Sequence, residues 1–546
     1  MYIKTSRVKL KGKIYEYKRV VQGVRVGSKI KHKVIAYLGR MEDPNSAASF
    51  LFSPSPTGLK TRTAKLYALP LALNTIMEDE LSLSRILTRV LPPKVTVPVA
   101  QLTKLMIMGR IISPDSKLSL TRWYQNLYTQ ERLPKTIDVH RLYTTLDYLI
   151  DHKEAIEKEL YQQLQKKRYL DTTVVFYDLT SSYFEGSDVE MAHYGYSRDH
   201  RPDRLQITLG LVIDKTGLPL YHEVYAGNMQ DKATVTGILK KLHTLFEIQN
   251  VIFVADKGML TPDNLTALQE KKYQSILSES SRNALSQAQR KILYEQKDTD
   301  TFTKKADNLW YTQTQDSEGK EIIVCYNQYT ATKAKQTRDE KIKKLELFIT
   351  QAKENYEKKG YKRQQAAKEK APTEQTAAKQ EIKQQQKLRE MLLAKLIKSH
   401  ARKYFETKEL PALSELFVKK QEVIDREEYL DGMWVIRSNT ENLTAEQLIT
   451  TYKDLKTIEA SFRIIKDVIE LRPIYHHKND RIKGHVFICI LAFLVTRILE
   501  QKTKTTIKTL KENHMTSVII PGKTPTDPQQ IIGGEIYLQQ NLGVVV

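Results

Sequence analysis

Cysteine is nearly absent: Cys325 and Cys489 are the only two in 546 residues, they lie in unrelated apolar contexts, and no Cys-x-x-Cys occurs. That excludes a disulfide framework and a cysteine-based zinc site, and a reducing cytoplasm is the expected compartment. Long apolar runs are missing too. The most apolar stretch, VFICILAFLVTRIL at 486–499, is 14 residues long and carries Arg497. It predicts a buried helix too short to span a bilayer, so no membrane partner is expected. The N-terminal MYIKTSRVKLKGK is charged but has no apolar region or small-residue cleavage site after it, and is not expected to be a secretory signal. A phosphate loop is lacking as well. PGKTPTD at 521–527 contains Gly-Lys-Thr, but the position where such a loop needs its first glycine is Ser517, so ATP use is not expected.

Acidic residues are the other deficit. There are 64 Asp and Glu against 87 Lys and Arg, a formal net charge of +23. The excess is clustered: residues 1–40 hold 12 bases and one acid, Glu16, while residues 331–400 hold 19 bases and 9 acids, a net of +10. One charge run alone is usually a solvated face. Two separate basic segments point to a polyanion, because each neutralised phosphate releases condensed counterions. A nucleic acid is therefore the expected partner. The remaining composition, 40% hydrophobic and 28% charged, is that of a globular chain long enough for two to four domains.

Texture changes along the chain divide it. Residues 1–45 alternate apolar and basic side chains around GVRVGSK, as a small basic antiparallel sheet would. NSAASFLFSPSPTGLKT at 45–61 is a Ser/Pro-rich linker. Residues 62–168 carry helical periodicity in LSLSRILTRVL, VAQLTKLMIMGRI and HRLYTTLDYLIDHKEAIEKELYQQL, a helical domain that either docks on DNA or serves as a structural bundle. From 172 to 280 come three successive β-rich runs, a helix, a strand, a helix and a strand, the order of a ribonuclease-H-like α/β domain. Residues 281–430 read as an insertion: strand-like NLWYTQTQ and KEIIVCYNQ, then a basic helical hairpin turning near Pro372 and Thr373. The strand GMWVIRSNT returns the chain to the core over 431–500, and 501–546 form a C-terminal tail.

Asp178 ends the apolar run VVFYD and Asp256 ends VIFVAD. Carboxylates at the exits of two buried strands lie on the sheet rim and, if the strands are adjacent, side by side. Such a pair disfavours joint ionisation unless a cation such as Mg²⁺ neutralises it. Either Asp alone would more simply start a turn or cap a helix. In TYKDLKTIEASFRIIKDVIELR, one continuous helix would align Leu455, Ile458, Phe462, Ile465 and Ile469 as a core stripe, with Tyr452, Lys456, Glu459, Arg463 and Lys466 in a second stripe beside it. Glu459 could complete a metal site while its neighbours grip a phosphate; Glu459 and Arg463 also suit a plain i,i+4 surface pair.

The strings FYDLTSSYFEG, GYSRDHRPDRLQITLGL and VIFVADKGM, with Tyr452, Glu459 and Lys466, resemble the DDE transposases of bacterial insertion sequences, in the IS-four-like group named for a Tyr-Arg-Glu-Lys signature. The signature spacing puts Tyr452, Glu459 and Lys466 in place, with Leu455 where the family has Arg; Arg463 or Lys456 could supply the missing contact. The resemblance implies a catalytic triad Asp178, Asp256 and Glu459 binding two Mg²⁺ ions, with Mn²⁺ an alternative. It implies DNA contacts from Tyr452 and Lys466, a homodimer on DNA, and a tryptophan that supports a displaced base, Trp310 in preference to Trp434. Arg198, His200, Arg201 and Arg204 in GYSRDHRPDR, with Asn228 and Asp231 in AGNMQD, are supporting candidates for DNA contact near the scissile bond, the alternative being a loop salt-bridged through Asp199 and Asp203. The activity expected is binding of terminal inverted repeats, DNA cleavage and strand transfer. The alternatives are a ribonuclease-H-like nuclease without strand transfer and a catalytically idle DNA-binding derivative.

Overall fold

The computed structural model describes residues 2–10, 13–26, 29–40, 66, 68–127, 136–186, 188–248, 251–256, 259, 261–316, 318–370, 374–407, 417–440 and 442–513. The linker expected at 45–61, the turn at Pro372 and Thr373, and the PGKTPTD segment lie outside them. The described residues fall into two compact units, 2–66 and 68–513.

The first unit is a three-stranded antiparallel sheet, β1 (Tyr2–Leu10), β2 (Lys13–Val26) and β3 (Lys29–Arg40), in that order. Cross-strand pairs hold it: Arg7 faces Glu16 in register and donates to its carboxylate at 2.6 Å, and Lys18 donates to Thr5 at 2.8 Å. Opposite charges placed directly across a ladder stabilise it modestly.

The second unit is built on a nine-stranded sheet. Its first half is β4 (Val174–Tyr183), β5 (Gln206–Asp214), β6 (Pro219–Ala226), β7 (Ile252–Ala255) and β8 (Gln274–Ser280), in spatial order β6-β5-β4-β7-β8. The pairs β4–β7 and β7–β8 are parallel, whereas β4–β5 and β5–β6 are antiparallel. QITLGLVID of β5 is buried at every position, which explains why it shows no polar alternation. The β5–β6 turn closes on the buried Asp214 carboxylate, which accepts from the backbone N–H groups of Asp171, Thr216 and Leu218.

The inserted strands extend this sheet instead of forming one of their own. β9 (Thr303–Ala306), β10 (Leu309–Gln315) and β11 (Glu321–Asn327) continue it through β14 (Met433–Ser438), which pairs antiparallel with β8. The short helices α9 (Ser281–Ala284) and α10 (Gln287–Gln296) precede β9, and between β11 and β14 run two long helices, α11 (Gln328–Lys370) and α12 (Glu374–Ile397), and the short α13 (Gln421–Glu428); the long pair packs antiparallel in the cluster of Ile342, Leu345 and Ile349 with Leu388, Leu392 and Leu396. A small ladder follows, β12 (Phe405–Thr407) with β13 (Phe417–Lys419).

On one face of the sheet, α7 (Val235–Thr244) and α8 (Pro262–Glu270) cover Val175, Tyr177, Leu179, Phe253 and Ala255. The helices before β4 are α1 (Ala68–Thr75), α2 (Leu83–Val90), α3 (Val99–Ile112), α4 (Lys117–Trp123), α5 (Val139–Asp151) and α6 (Lys153–Lys166). They share one unit with the sheet. The α6 residue Glu157 accepts from Lys153 and from the buried His222 of β6, each at 2.7 Å. The apolar run at 486–499 belongs to a longer helix, Asn479–Thr503, with 89% of its most apolar window buried inside the protein, so its apolar surface is covered by the helices and the sheet. It crosses α5 closely at Gly484, where a Cβ would lie 2.9 Å from Leu146 Cβ and 3.1 Å from its carbonyl oxygen. Gly484→Val should therefore lower stability by about 1–3 kcal/mol, the usual cost of overpacking, read as a fall in melting temperature with the helical circular dichroism retained.

Candidate active site

Strand register assembles the site. Phe176 pairs with Val254 in the parallel β4–β7 ladder, so two residues on Asp178 stands beside Asp256; Ala255 pairs with Leu277, so Asp256 stands beside Ser278. Val175, Tyr177 and Leu179 face α7 and α8, and strand alternation turns Asp178 to the opposite face. Burial is the main reason that the Asp178 carboxyl holds its proton up to about 7, and the charges of Asp256 and Asp231 add to it; the Leu179 N–H and the Arg198 guanidinium pull the other way. Asp256 is exposed on the rim.

The segment beside them departs from the single helix expected. It starts at Thr444, whose hydroxyl and the Gln447 side chain form a capping box on Ala445–Lys453 (α14). The helix breaks at Asp454 and Leu455, restarts as α15 (Lys456–Arg463), and widens into a π-turn at Ile464–Val468. The apolar stripe survives: Leu455, Ile458, Phe462, Ile465 and Ile469 are all buried. The polar stripe does not stay straight, because a broken turn and a π-turn each shift the side-chain direction. Tyr452 reaches back to the carboxylates, its hydroxyl 3.5 Å from Asp256 Oδ1. Burial, together with the charges of Asp256 and Glu459, pushes that phenol up to about 12, so it remains a donor. Glu459 and Arg463 are exposed on α15, and Leu455 at the break is buried.

The loop carrying Arg198, Arg201 and Arg204 is fixed by close backbone approach. A Cβ on Gly195 would lie 2.1 Å from the Gly227 carbonyl oxygen, and the buried Gln206 amide donates to the Tyr196 and Gly227 carbonyls at 3.0 and 3.2 Å. Arg198 is paired with Asp231 at 2.6 Å, which ties this loop to AGNMQD beside Asp178. Arg201 is held by Asp203 and stacks over Tyr183, and Arg204 pairs with Glu185. Lys466 donates to Asp199 at 2.7 Å. Trp310 packs on Tyr326 in the cluster that includes Met433 and Val435. Strand alternation puts Trp434 on the opposite face, aligned with Ser280, its indole N–H buried without a partner.

Arg472, Tyr183, Gln206 and Ser278 were not singled out in the sequence, and Asp199 was marked only as an ion-pair partner within its own charged loop. As a metal site, the Asp178–Asp256 pair fits a hard cation: one carboxyl keeps its proton partly because the other is near, and a cation would release it. Among the described residues, no three of His, Cys, Asp or Glu come close enough together to hold an ion, so Glu459 stands apart from the pair here.

Residues 169–328 match the profile of the transposase DDE domain, and residues 3–51 match that of the IS1634 family transposase, N-terminal domain. No curated protein matches the chain. Among solved structures, the piggyBac transposase synaptic complex with hairpin DNA is similar at 8% identity over 87% of this chain and 84% of that one, with a TM-score of 0.36. The Mos1 transposase paired-end complex with the left transposon end is similar at 14% identity over 34% and 59%, with a TM-score of 0.15. Likenesses at these scores bear no weight on the fold. The protein is a DDE transposase, an enzyme of DNA transposition. Its N-terminal segment is similar to the N-terminal domain of IS1634 family transposases. The matched DDE segment contains Asp178 and Asp256 and stops short of Glu459.

Burial raises the Asp178 carboxyl from an ordinary 3.8 to about 7, so between those values the folded chain retains a proton that the unfolded chain has released. Stability from this group is whole below that window and is lost as pH rises through it, by up to about 1.4 kcal/mol per pH unit. Asp178→Asn should flatten that slope and raise the metal-free melting temperature at pH 8. An unchanged melting profile from pH 4 to 8 would show that Asp178 ionises normally.

Proposed function

We propose that this transposase binds the terminal inverted repeats of its own insertion sequence, cuts the DNA there and joins the freed ends to a target, with Asp178, Asp256 and Glu459 as its catalytic carboxylates. The observation carrying this reading is the register that aligns Asp178 with Asp256 on a sheet face, with the Glu459-bearing helix α15 packed on β4. The strand order β6-β5-β4-β7-β8 supports a ribonuclease-H-like core.

Divalent ions, Mg²⁺ or Mn²⁺ and two per site, held by these carboxylates would polarise the scissile phosphate and activate the attacking water or 3′-hydroxyl. The chain's own groups prepare the rest. Asp178 and Asp256 gather negative charge in a partly dry setting, where it binds cations more strongly than in water. Tyr452 stays protonated beside Asp256 and can donate to a phosphate oxygen. Arg198 places a positive charge close enough to Asp178 to favour its ionised form. Leu455 is buried at the break between α14 and α15, so the cation that the Tyr-Arg-Glu-Lys group carries there must come from elsewhere. Arg463, exposed one helical turn beyond Glu459, is the candidate. Duplex DNA as partner is supported by the +23 charge and the +10 of residues 331–400. Two transposon ends brought together would suit a homodimer.

Glu459→Gln should reduce cleavage of labelled end oligonucleotides by more than about 1,000-fold while leaving their affinity within twofold in a mobility-shift titration; retained cleavage would remove Glu459 from the triad. Joined products in the same assay separate transposition from simple hydrolysis.

A further inference from the structure

Asp199 sits where three parts of the site meet. Its side chain is 8% exposed and faces two cations: Lys466 Nζ at 2.7 Å from Oδ1, and Arg472 Nη1 at 3.1 Å from Oδ2, the latter at ion-pair distance without hydrogen-bond alignment. Lys466 lies in the π-turn that follows Glu459 on the same helix, and its own side chain is only 13% exposed. Arg472 stacks over Tyr183, the last residue of the Asp178 strand, with its Cζ 4.4 Å from the ring centre; Arg201 lies over the same ring at 5.2 Å. The loop is also fastened to β4 from its other side, where the Arg198 N–H donates to Ser181 Oγ at 2.9 Å.

We infer that Asp199 is a positioning residue that fastens the Glu459-bearing helix to the strand carrying Asp178, with Lys466 its internal partner instead of a DNA contact. The electrostatics are one-sided. Burial alone disfavours the Lys466 ammonium, Arg472 and Arg198 repel it further, and Asp199 is the hydrogen-bonded charge that offsets them. Removing one partner of a buried charge pair leaves the other uncompensated, which is far costlier than the net worth of the pair. Without Asp199, Lys466 and Arg472 would move apart toward solvent, and the π-turn would carry Glu459 with it. A buried, paired lysine has few donors left for a phosphate.

This inference rests on the triad reading, and its test keeps the two apart. Mn²⁺ binding would be measured by electron paramagnetic resonance on DNA-free protein, beside end-oligonucleotide affinity and Mg²⁺-dependent cleavage. Asp199→Asn should weaken Mn²⁺ binding and raise the Mg²⁺ concentration for half-maximal cleavage at least fivefold, with DNA affinity unchanged. Lys466→Met should do the same, and the double variant should be no worse than the more affected single one, as members of one unit behave. Asp199→Glu, which keeps the charge, should recover part of the loss. Normal metal dependence in Asp199→Asn, or a Lys466→Met defect that lies in DNA affinity and adds to that of Asp199→Asn, would overturn the inference. If Asp199→Asn unfolds, judged by its melting curve, Lys466→Met and the Asp199→Glu variant carry the same comparison. Full cleavage by Glu459→Gln would instead overturn the triad itself, whatever Asp199 does.

Discussion

Two carboxylates placed side by side on a largely buried sheet are the constraint around which this protein is arranged. Burial keeps the Asp178 proton toward neutrality, and the neighbouring Asp256 charge adds to that resistance to joint ionisation. A fold tolerates such a pair only if its backbone is rigid enough to hold it, and the site therefore sits on strands. β4 and β7 are parallel and adjacent, buried by α7 and α8 on one face, so the two aspartates cannot drift apart without unravelling the core.

Around that pair the charges are balanced by loops and not by the sheet. Arg198 is shared between the Asp178 field and a direct contact with Asp231; Asp199 takes Lys466 and Arg472. Each pairing joins segments distant in the chain, and the loop that carries Arg198 and Asp199 follows the tight crossing of Gly195 over Gly227, where no side chain would fit. Mobility in a loop that dense in charge would be costly, because its cations would lose their buried partners together.

The insertion has a structural consequence of its own. Because β9, β10 and β11 join the core sheet through β14, the long hairpin is rooted in the same hydrogen-bonded ladder that positions Asp256, one strand beyond β8. The hairpin is thus connected to the site through backbone rather than a flexible tether, and its packed apolar seam of Ile342, Leu345, Leu388 and Leu392 keeps its helices together.

Much of this was legible in the residues alone. Apolar runs ending in Asp marked β4 and β7, but only Asp256 stands at a strand exit as expected; β4 runs on to Tyr183, which leaves Asp178 in mid-strand, because the polar residues after it pair with β5. The buried stripe of Leu455, Ile458, Phe462, Ile465 and Ile469 was equally plain, since core burial overrides local helix irregularity. What periodicity could not convey was the break at Asp454 and Leu455 and the π-turn at Ile464–Val468. These depend on how α14 and α15 dock on strands hundreds of residues away. For the same reason nothing around Lys466, which the family resemblance marks as a phosphate contact, announces that it lies against Asp199. Local sequence determined which residues are helical, stranded, apolar or charged. Tertiary structure alone decided which charges meet, because an ion pair between positions 267 residues apart leaves no trace in either neighbourhood.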